Sequence, residues 1–197
     1  AVHVLTPPPT LPINRLPPGR LYDAALALNG WLVGGSIRQA MRRLGMAEPV
    51  VRNAFHPFLG VPLAGQRGER LLAYYCYDEI SAAAGNSRHG VRLEAQLLDR
   101  AGLVIVSSEA LLASKSAVHL SVHLVENGVD FDLFHQAAGP VERVDERPCI
   151  GYLGSLDDRL DYALLGAVME ATPGWRYLFV GRLVDARAHA LRAYPNA

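Results

Sequence analysis

The sequence predicts an α/β protein built on parallel sheets, and three observations lead there. Short continuous apolar runs recur along its 197 residues, as strands buried on both faces require. Between them lie stretches with apolar residues three and four apart, the spacing of an amphipathic helix. The two kinds alternate, which is the grammar of strand–helix–strand units rather than of hairpins.

In order, residues 2–5 (VHVL) read as a short strand stopped by Pro7-Pro8-Pro9. Residues 20–44 place Leu21, Ala24, Ala25, Leu28, Leu32, Ile37, Met41 and Leu44 at helical spacing and close at Gly45. Gly30, Gly34 and Gly35 are expected to break or bend that helix. Residues 49–55 and 71–77 read as strands, the second aromatic-rich and bounded by Asp78-Glu79. Residues 88–100 put Val91, Leu93, Leu97 and Leu98 on the apolar side of a helix, and LVIV at 103–106 is a continuous apolar strand. A helix over 109–114 follows, with Ser107 or Ser108 as its cap, then a strand over 122–125.

That strand runs out at Asn127-Gly128. In a hairpin a second alternating strand would follow this pair, but the chain enters QAAGPVERVDERP, a polar stretch punctuated by Gly139 and Pro140. The organisation expected is a first domain over 1–137, a linker over 138–147 and a second domain from 148 to 197. Val129, Phe131 and Phe134 are expected to pin the exit segment. The second domain repeats the grammar: strand 149–153, helix 159–171 with Leu160, Ala163, Leu164, Ala167 and Val168 in register, a stop at Pro173-Gly174, strand 175–180 and helix 186–193. The first domain begins directly in a strand and the second has only two, a thin core for an independent fold. The expectation is therefore two incomplete domains, an internal piece of a longer chain.

Composition bounds the chemistry. Nineteen Lys plus Arg balance nineteen Asp plus Glu, so no global field draws nucleic acid, and none is expected as a partner. Cys76 and Cys149 form neither a disulfide framework nor a zinc spacing, and both read as buried thiols in a reducing, cytoplasmic setting. No apolar run approaches the ~20 residues of a membrane span, and AVHVLTPPP lacks the regions of a secretory signal. Gly151 and Gly154 are spaced G-x-x-G, so the dinucleotide fingerprint is absent, as is a Walker A loop.

In an open parallel sheet, ligands bind beyond the carboxyl ends of the strands. That rule selects the loops at 55–57, 78–81, 107–109, 126–130, 154–159 and 181–182. In them, Asp78 and Glu79 are paired carboxylates able to move a proton, hold hydroxyl groups or cap the next helix. Gly154-Ser155 allows a backbone to approach a diphosphate closely, with Arg159 and Arg182 as nearby cations. Asp157, Asp158 and Asp161 read as cap and first-turn acids of the following helix. Ser107 and Ser108 lack a His/Asp companion and a G-x-S-x-G elbow, so they read as caps. Glu94 reads as a helix-surface or domain-packing residue.

The order of motifs then becomes specific. An apolar strand, ENGVD with a following Phe, a linker, IGYLGSLDDRLDYALL and a strand ending FVG resembles the GT-B glycosyltransferases of the retaining, family 4 type. The upstream YDE and LLDRAGLVIVSSEALL resemble that family's acceptor-side domain, and within it the teichuronic-acid-type sugar transferases are the nearest likeness. The likeness covers residues 49 to the end and is strongest over 98–181. It implies two facing Rossmann-like, doubly wound domains, the first receiving a hydroxyl acceptor and the second holding a nucleotide-diphosphate sugar. No metal or other cofactor is implied, because protein groups stabilise the leaving diphosphate.

The resemblance implies donor or diphosphate contacts at Gly154, Ser155, Arg159, Arg182, Asn127 and Gly128. It implies acceptor-side contacts at Asp78 and Glu79, and a catalytic role near the reacting sugar for His56. The family's Lys-Gly is missing, with Leu160-Asp161 standing in that neighbourhood. An acidic pair of Glu-x7-Glu type has no counterpart in 148–197, so the chain by itself is expected not to turn over. The implied activity is sugar transfer to a cell-envelope polysaccharide or glycolipid, in the cytoplasm, with peripheral association at the inner face of the membrane as an option. Two alternatives stand beside it: a nucleotide-sugar 2-epimerase of the same architecture, and a non-catalytic binding module.

Overall fold

The computed structural model describes residues 2–81, 88–137 and 146–197. The first eight residues of the expected linker, 138–145, lie outside them. The chain divides after Val129 into two compact units, 1–129 and 130–197.

In the first unit, the chain up to α1 is irregular, and residues 2–5 are not a strand: Val2 and Val4 are 93% and 89% exposed. The prolines that follow offer no backbone N–H to a ladder, so the segment has no means of extending one. Helix α1 (Arg20–Arg43) runs unbroken through its glycines. A Cβ on Gly30 would collide with the Pro62 ring, and one on Gly34 would lie 3.1 Å from Leu63 Cδ2. These glycines let two helices approach each other, which is why they do not act as breaks. Gly45, at φ +62°, ends the helix. Its N–H reaches Arg42 O at 3.3 Å and Met46 N–H reaches Met41 O at 2.9 Å, the paired bonds of a Schellman motif.

Strands β1 (Val50–Ala54), β2 (Leu71–Cys76), β3 (Leu103–Val106) and β4 (Val122–Leu124) form one parallel sheet in the order β1-β2-β3-β4. Helices α2 (Pro57–Leu63), α3 (Gly90–Leu98) and α4 (Glu109–Ser116) are its crossovers. Because the order runs one way, right-handed crossovers place all three on the same face. Leu72, Tyr74, Cys76, Val104 and Val106 point into that face and share a core with Tyr22, Leu26, Val61, Leu93, Leu97 and Leu111. The opposite face carries Ala54, Tyr75, Ile105 and His123 in register, with Arg52 two residues before Ala54, and no helix among the described residues. The pattern had suggested cover on both faces.

In the second unit, α5 (Phe131–Ala137) precedes a parallel pair, β5 (Cys149–Leu153) with β6 (Arg176–Val180). Helix α6 (Tyr162–Ala171) and a 3-10 helix (Ala186–Ala193) pack on it through Leu156, Met169, Tyr177, Ala188 and Leu191. Three expectations change here. Val129, Phe131 and Phe134 are 67%, 67% and 64% exposed rather than packed among the described residues, the two phenylalanines lying on α5. Cys149 is exposed rather than buried, because alternation puts it on the face opposite Tyr152 and Tyr177. Helix α6 starts at Tyr162, not at 159, because Asp161 caps it by accepting Leu164 N–H at 3.0 Å. No described helix is long and apolar enough to cross a membrane. The coarse class holds: an α/β protein with a four-stranded parallel sheet and a second, two-stranded one.

Candidate functional site

At the carboxyl end of β1 the chain turns through Phe55, a non-glycine residue at φ +51°. Asn53 braces the turn: its Oδ1 accepts His56 N–H at 3.0 Å and its Nδ2 donates to His56 O at 3.1 Å. His56 Nδ1 accepts Leu59 N–H at 3.2 Å, so the ring caps α2, and a neutral ring then carries its proton on Nε2. His56 also lines a cavity of about 490 Å³ with Leu11, Ile13, Asn29, Phe55 and Phe58. Buried Asn29 fastens the proline-rich segment over it, accepting Leu11 N–H at 2.8 Å and donating to Leu11 O at 3.0 Å.

At the end of β2, Asp78 and Glu79 do not act as a facing pair. Asp78 Oδ1 accepts Glu79 N–H at 2.9 Å. Glu79 Oε1 accepts from Ser81 N–H (3.3 Å) and Oγ–H (3.0 Å), and its Oε2 lies 3.6 Å from Lys115 Nζ. Lys115 is buried and reaches Glu94 Oε2 at 2.9 Å. Glu94 Oε1 in turn accepts the Tyr74 hydroxyl at 2.7 Å and the Cys76 thiol at 3.6 Å. Glu94 is therefore a core residue, not a surface one. Sequence reasoning missed Lys115 altogether. The signal was present in α3, where Glu94 falls in one stripe with Gly90, Leu93, Leu97 and Leu98; a charge inside an apolar stripe calls for a buried partner.

The electrostatics follow from this network. Burial alone would raise the Glu79 carboxyl, but Ser81 N–H and the Lys115 charge outweigh it and hold the group below the usual range. Burial works against the Lys115 ammonium, yet the hydrogen bond and charge of Glu94 lift it above an ordinary lysine. Burial, with Glu94 adding and Lys115 opposing, pushes the Cys76 thiol up to about 11.

At β3, Ser108 caps α4 by accepting Leu111 N–H at 3.3 Å, while Ser107 Oγ donates instead to Tyr77 O at 3.1 Å. After β4, Asn127 Oδ1 accepts the Tyr75 hydroxyl at 3.3 Å, and Gly128 stands in open space. Asp130 accepts Leu133 N–H at 3.0 Å and serves the start of α5.

The carboxyl edge of the second sheet is tighter. Gly154 N–H bonds Val180 O at 3.0 Å, and a Cβ on Gly181 (φ +155°) would run into Gly154 O. At Gly181 the two edge turns thus press backbone on backbone and leave no room for a Cβ, whereas a Cβ on Gly154 would meet the Tyr152 ring. Ser155 O accepts the Tyr152 hydroxyl at 3.1 Å. Arg159 grips Asp157 through Nε–Oδ1 (3.0 Å) and Nη2–Oδ2 (2.7 Å). Asp185 and Arg187 repeat the same turn at 3.1 and 2.6 Å. In each turn the hydrogen bond from arginine holds the aspartate below its ordinary range. Arg187 also lies 5.1 Å over the Tyr162 ring, whose hydroxyl donates to Asp157 O at 2.9 Å. Arg187 went unnoticed in the sequence, where the signal was the repeated Asp-x-Arg following Leu156 and Leu183, two residues that bridge β5 and β6. Arg182 makes no ion pair among the described residues.

The structure thus places Gly154, Ser155, Arg159 and Arg182 on one edge of the second unit, and His56, Asp78, Glu79 and Asn127 on the carboxyl side of the first. Among the described residues no three His, Cys, Asp or Glu side chains converge as metal ligands. Comparison with protein-family models and with curated proteins finds no match.

Proposed function

We propose that the two units form part of a GT-B glycosyltransferase of the retaining, family 4 type, moving a sugar from a nucleotide-diphosphate donor to a hydroxyl acceptor. The observation that carries this reading is the glycine-pressed edge of β5 and β6. There a Cβ on Gly181 would meet Gly154 O, so the two turns approach backbone to backbone, and Arg182 stands beside them without an acidic partner among the described residues. Transfer breaks the bond from the anomeric carbon to phosphate oxygen and forms one to the acceptor oxygen, while the acceptor hydroxyl proton passes to the departing diphosphate. Negative charge collects on the departing diphosphate, and fixed cations there lower the barrier. Arg182 supplies one such charge at once. Arg159 and Arg187 supply theirs by exchanging a carboxylate for a phosphate oxygen, which keeps the bidentate geometry of guanidinium. On the first unit, Glu79, its carboxyl held low by the Ser81 N–H and the Lys115 charge against the effect of burial, accepts a hydrogen bond from a substrate hydroxyl, and His56 offers Nε2–H. The acceptor is proposed to be a cell-envelope glycan or glycolipid.

The 2-epimerase alternative keeps the fold and the donor. Product analysis with a nucleotide sugar and no acceptor separates the two. The first test is calorimetric titration of the chain with UDP, GDP and dTDP. Saturable binding of at least one, weakened about tenfold by Arg182→Ala, is expected for loss of one charge-assisted contact. Absence of binding by all three would overturn the reading.

A further inference from the structure

The rings at the carboxyl end of β1 and β2 have no role in the account above. Tyr77, 46% exposed, stands between Phe55, at 4.9 Å between ring centroids, and Tyr75, at 5.5 Å. Three anchors fix the group. Phe55 N–H bonds Tyr75 O at 2.9 Å, Ser107 Oγ–H bonds Tyr77 O at 3.1 Å, and the Tyr75 hydroxyl bonds Asn127 Oδ1 at 3.3 Å. Arg52 covers part of the Tyr75 ring at 5.7 Å. Donors flank the rings without partners among the described residues: the Arg52 guanidinium forms no ion pair, and the Asn127 amide N–H groups bond nothing. One exposed and two partly buried aromatic rings, rimmed by donors unused among the described residues, match a carbohydrate ring. The axial C–H face of a pyranose lies on the electron-rich face of an aromatic ring, and its equatorial hydroxyls take hydrogen bonds at the rim.

We infer that Phe55, Tyr75 and Tyr77, with Arg52 and Asn127 at the rim, form a binding site for a pyranose unit of a glycan. Asp78 and Glu79 follow Tyr77 directly, so a sugar seated there lies beside the carboxylates on the acceptor side of the first unit. This makes a saccharide, rather than a bare lipid, the chemical class the first unit receives. Calling the bound sugar an acceptor rests on the glycosyltransferase reading; the binding itself does not.

The test is NMR of the full chain with ring-labelled tyrosine, titrated with maltotetraose, cellotetraose and mannotetraose at millimolar concentration. Tyr75 and Tyr77 ring signals are expected to shift with at least one probe, and the shift to vanish in Tyr77→Ala. Tyr77 is half-exposed, so that variant keeps the core, and an unchanged dispersion of Tyr22 and Tyr74 verifies it. Asn127→Ala serves as a second variant and is expected to weaken binding about threefold to tenfold, as loss of one or two neutral hydrogen bonds does. No ring shift with any of the three, or equal binding by Tyr77→Ala, would overturn the inference. Sugar binding without nucleoside-diphosphate binding would leave this site standing and remove the transferase reading; the converse would do the opposite.

Discussion

The side chain with most consequence for the first unit is Lys115. It ties a core carboxylate, Glu94, to an edge carboxylate, Glu79, at 2.9 and 3.6 Å. Lys115→Met removes the ammonium partner of the buried Glu94 carboxyl, a loss expected to cost about 3–5 kcal/mol in urea unfolding. Adding Glu94→Leu removes the orphaned charge and is expected to recover much of that loss. The pH dependence has a definite sign. Glu79 is held below its ordinary value, so its share of stability is complete above about pH 4.3 and fades as pH falls through the lower folded value. Lys115 is raised, so its share is complete below the ordinary lysine range and fades as pH climbs through the higher folded value. Acid titration of stability in wild type against Glu79→Gln checks the first: the variant is expected to lose less stability between neutral pH and the acid limb. The thiols divide in the same way by environment. Cys149 is exposed and is expected to alkylate in the native protein, whereas Cys76, buried with its thiol pushed up to about 11, is expected to react only on unfolding. Mass spectrometry after brief iodoacetamide treatment reads both at once. Spacing showed that Glu94 needed a partner but not which one, because Glu94 and Lys115 meet only once α3 and α4 are folded on the same face of the sheet.

At the scale of elements, the strands were legible and their covering was less so. LVIV at 103–106 and CIGYL at 149–153 announce themselves as continuous apolar runs, and they became β3 and β5 with the expected bounds. Helix α2 was invisible because it holds two prolines in seven residues. Pro57 sits at the first helical position, where a missing N–H costs nothing. Pro62 lies inside the last turn and presents its ring to Gly30 of α1. The two residues that obscured the elements in the sequence, a glycine and a proline, are thus the contact between them. Gly30→Ala is expected to destabilise the protein by about 1–3 kcal/mol through overpacking, although alanine favours a helix. Gly35→Ala, with open space at its Cβ, is expected to be neutral or stabilising. Urea midpoints of the two variants decide between close approach and a bent helix. In the second unit, the Asp-x-Arg turns after β5 and β6 hold the arginines that a diphosphate would need. Asp157→Asn is expected to release Arg159 and tighten nucleoside-diphosphate binding about threefold to tenfold, since it removes both the carboxylate that holds the guanidinium and a charge that repels phosphate.

The whole molecule is two units with two cores that share no residue, the first centred on Tyr74 and Leu97, the second on Met169 and Tyr177. Each unit contains one tryptophan, Trp31 in the first and Trp175 in the second. Single-tryptophan variants are expected to report distinct unfolding midpoints, the second unit melting first because its two-stranded sheet supports fewer buried side chains. The alternation of strand and helix made the α/β class legible. The cover on one face alone was not, since it follows from strand order, which periodicity does not encode. The central claim concerns the edge of β5 and β6. The measurement that tests it most directly is amide-resolved NMR of the full chain titrated with UDP and GDP. The account predicts shifts concentrated at Gly154, Ser155, Gly181 and Arg182, with the side-chain signals of Arg159 and Arg187 moving as they leave their aspartates. Binding that leaves those signals unmoved, or no binding at all, would contradict it.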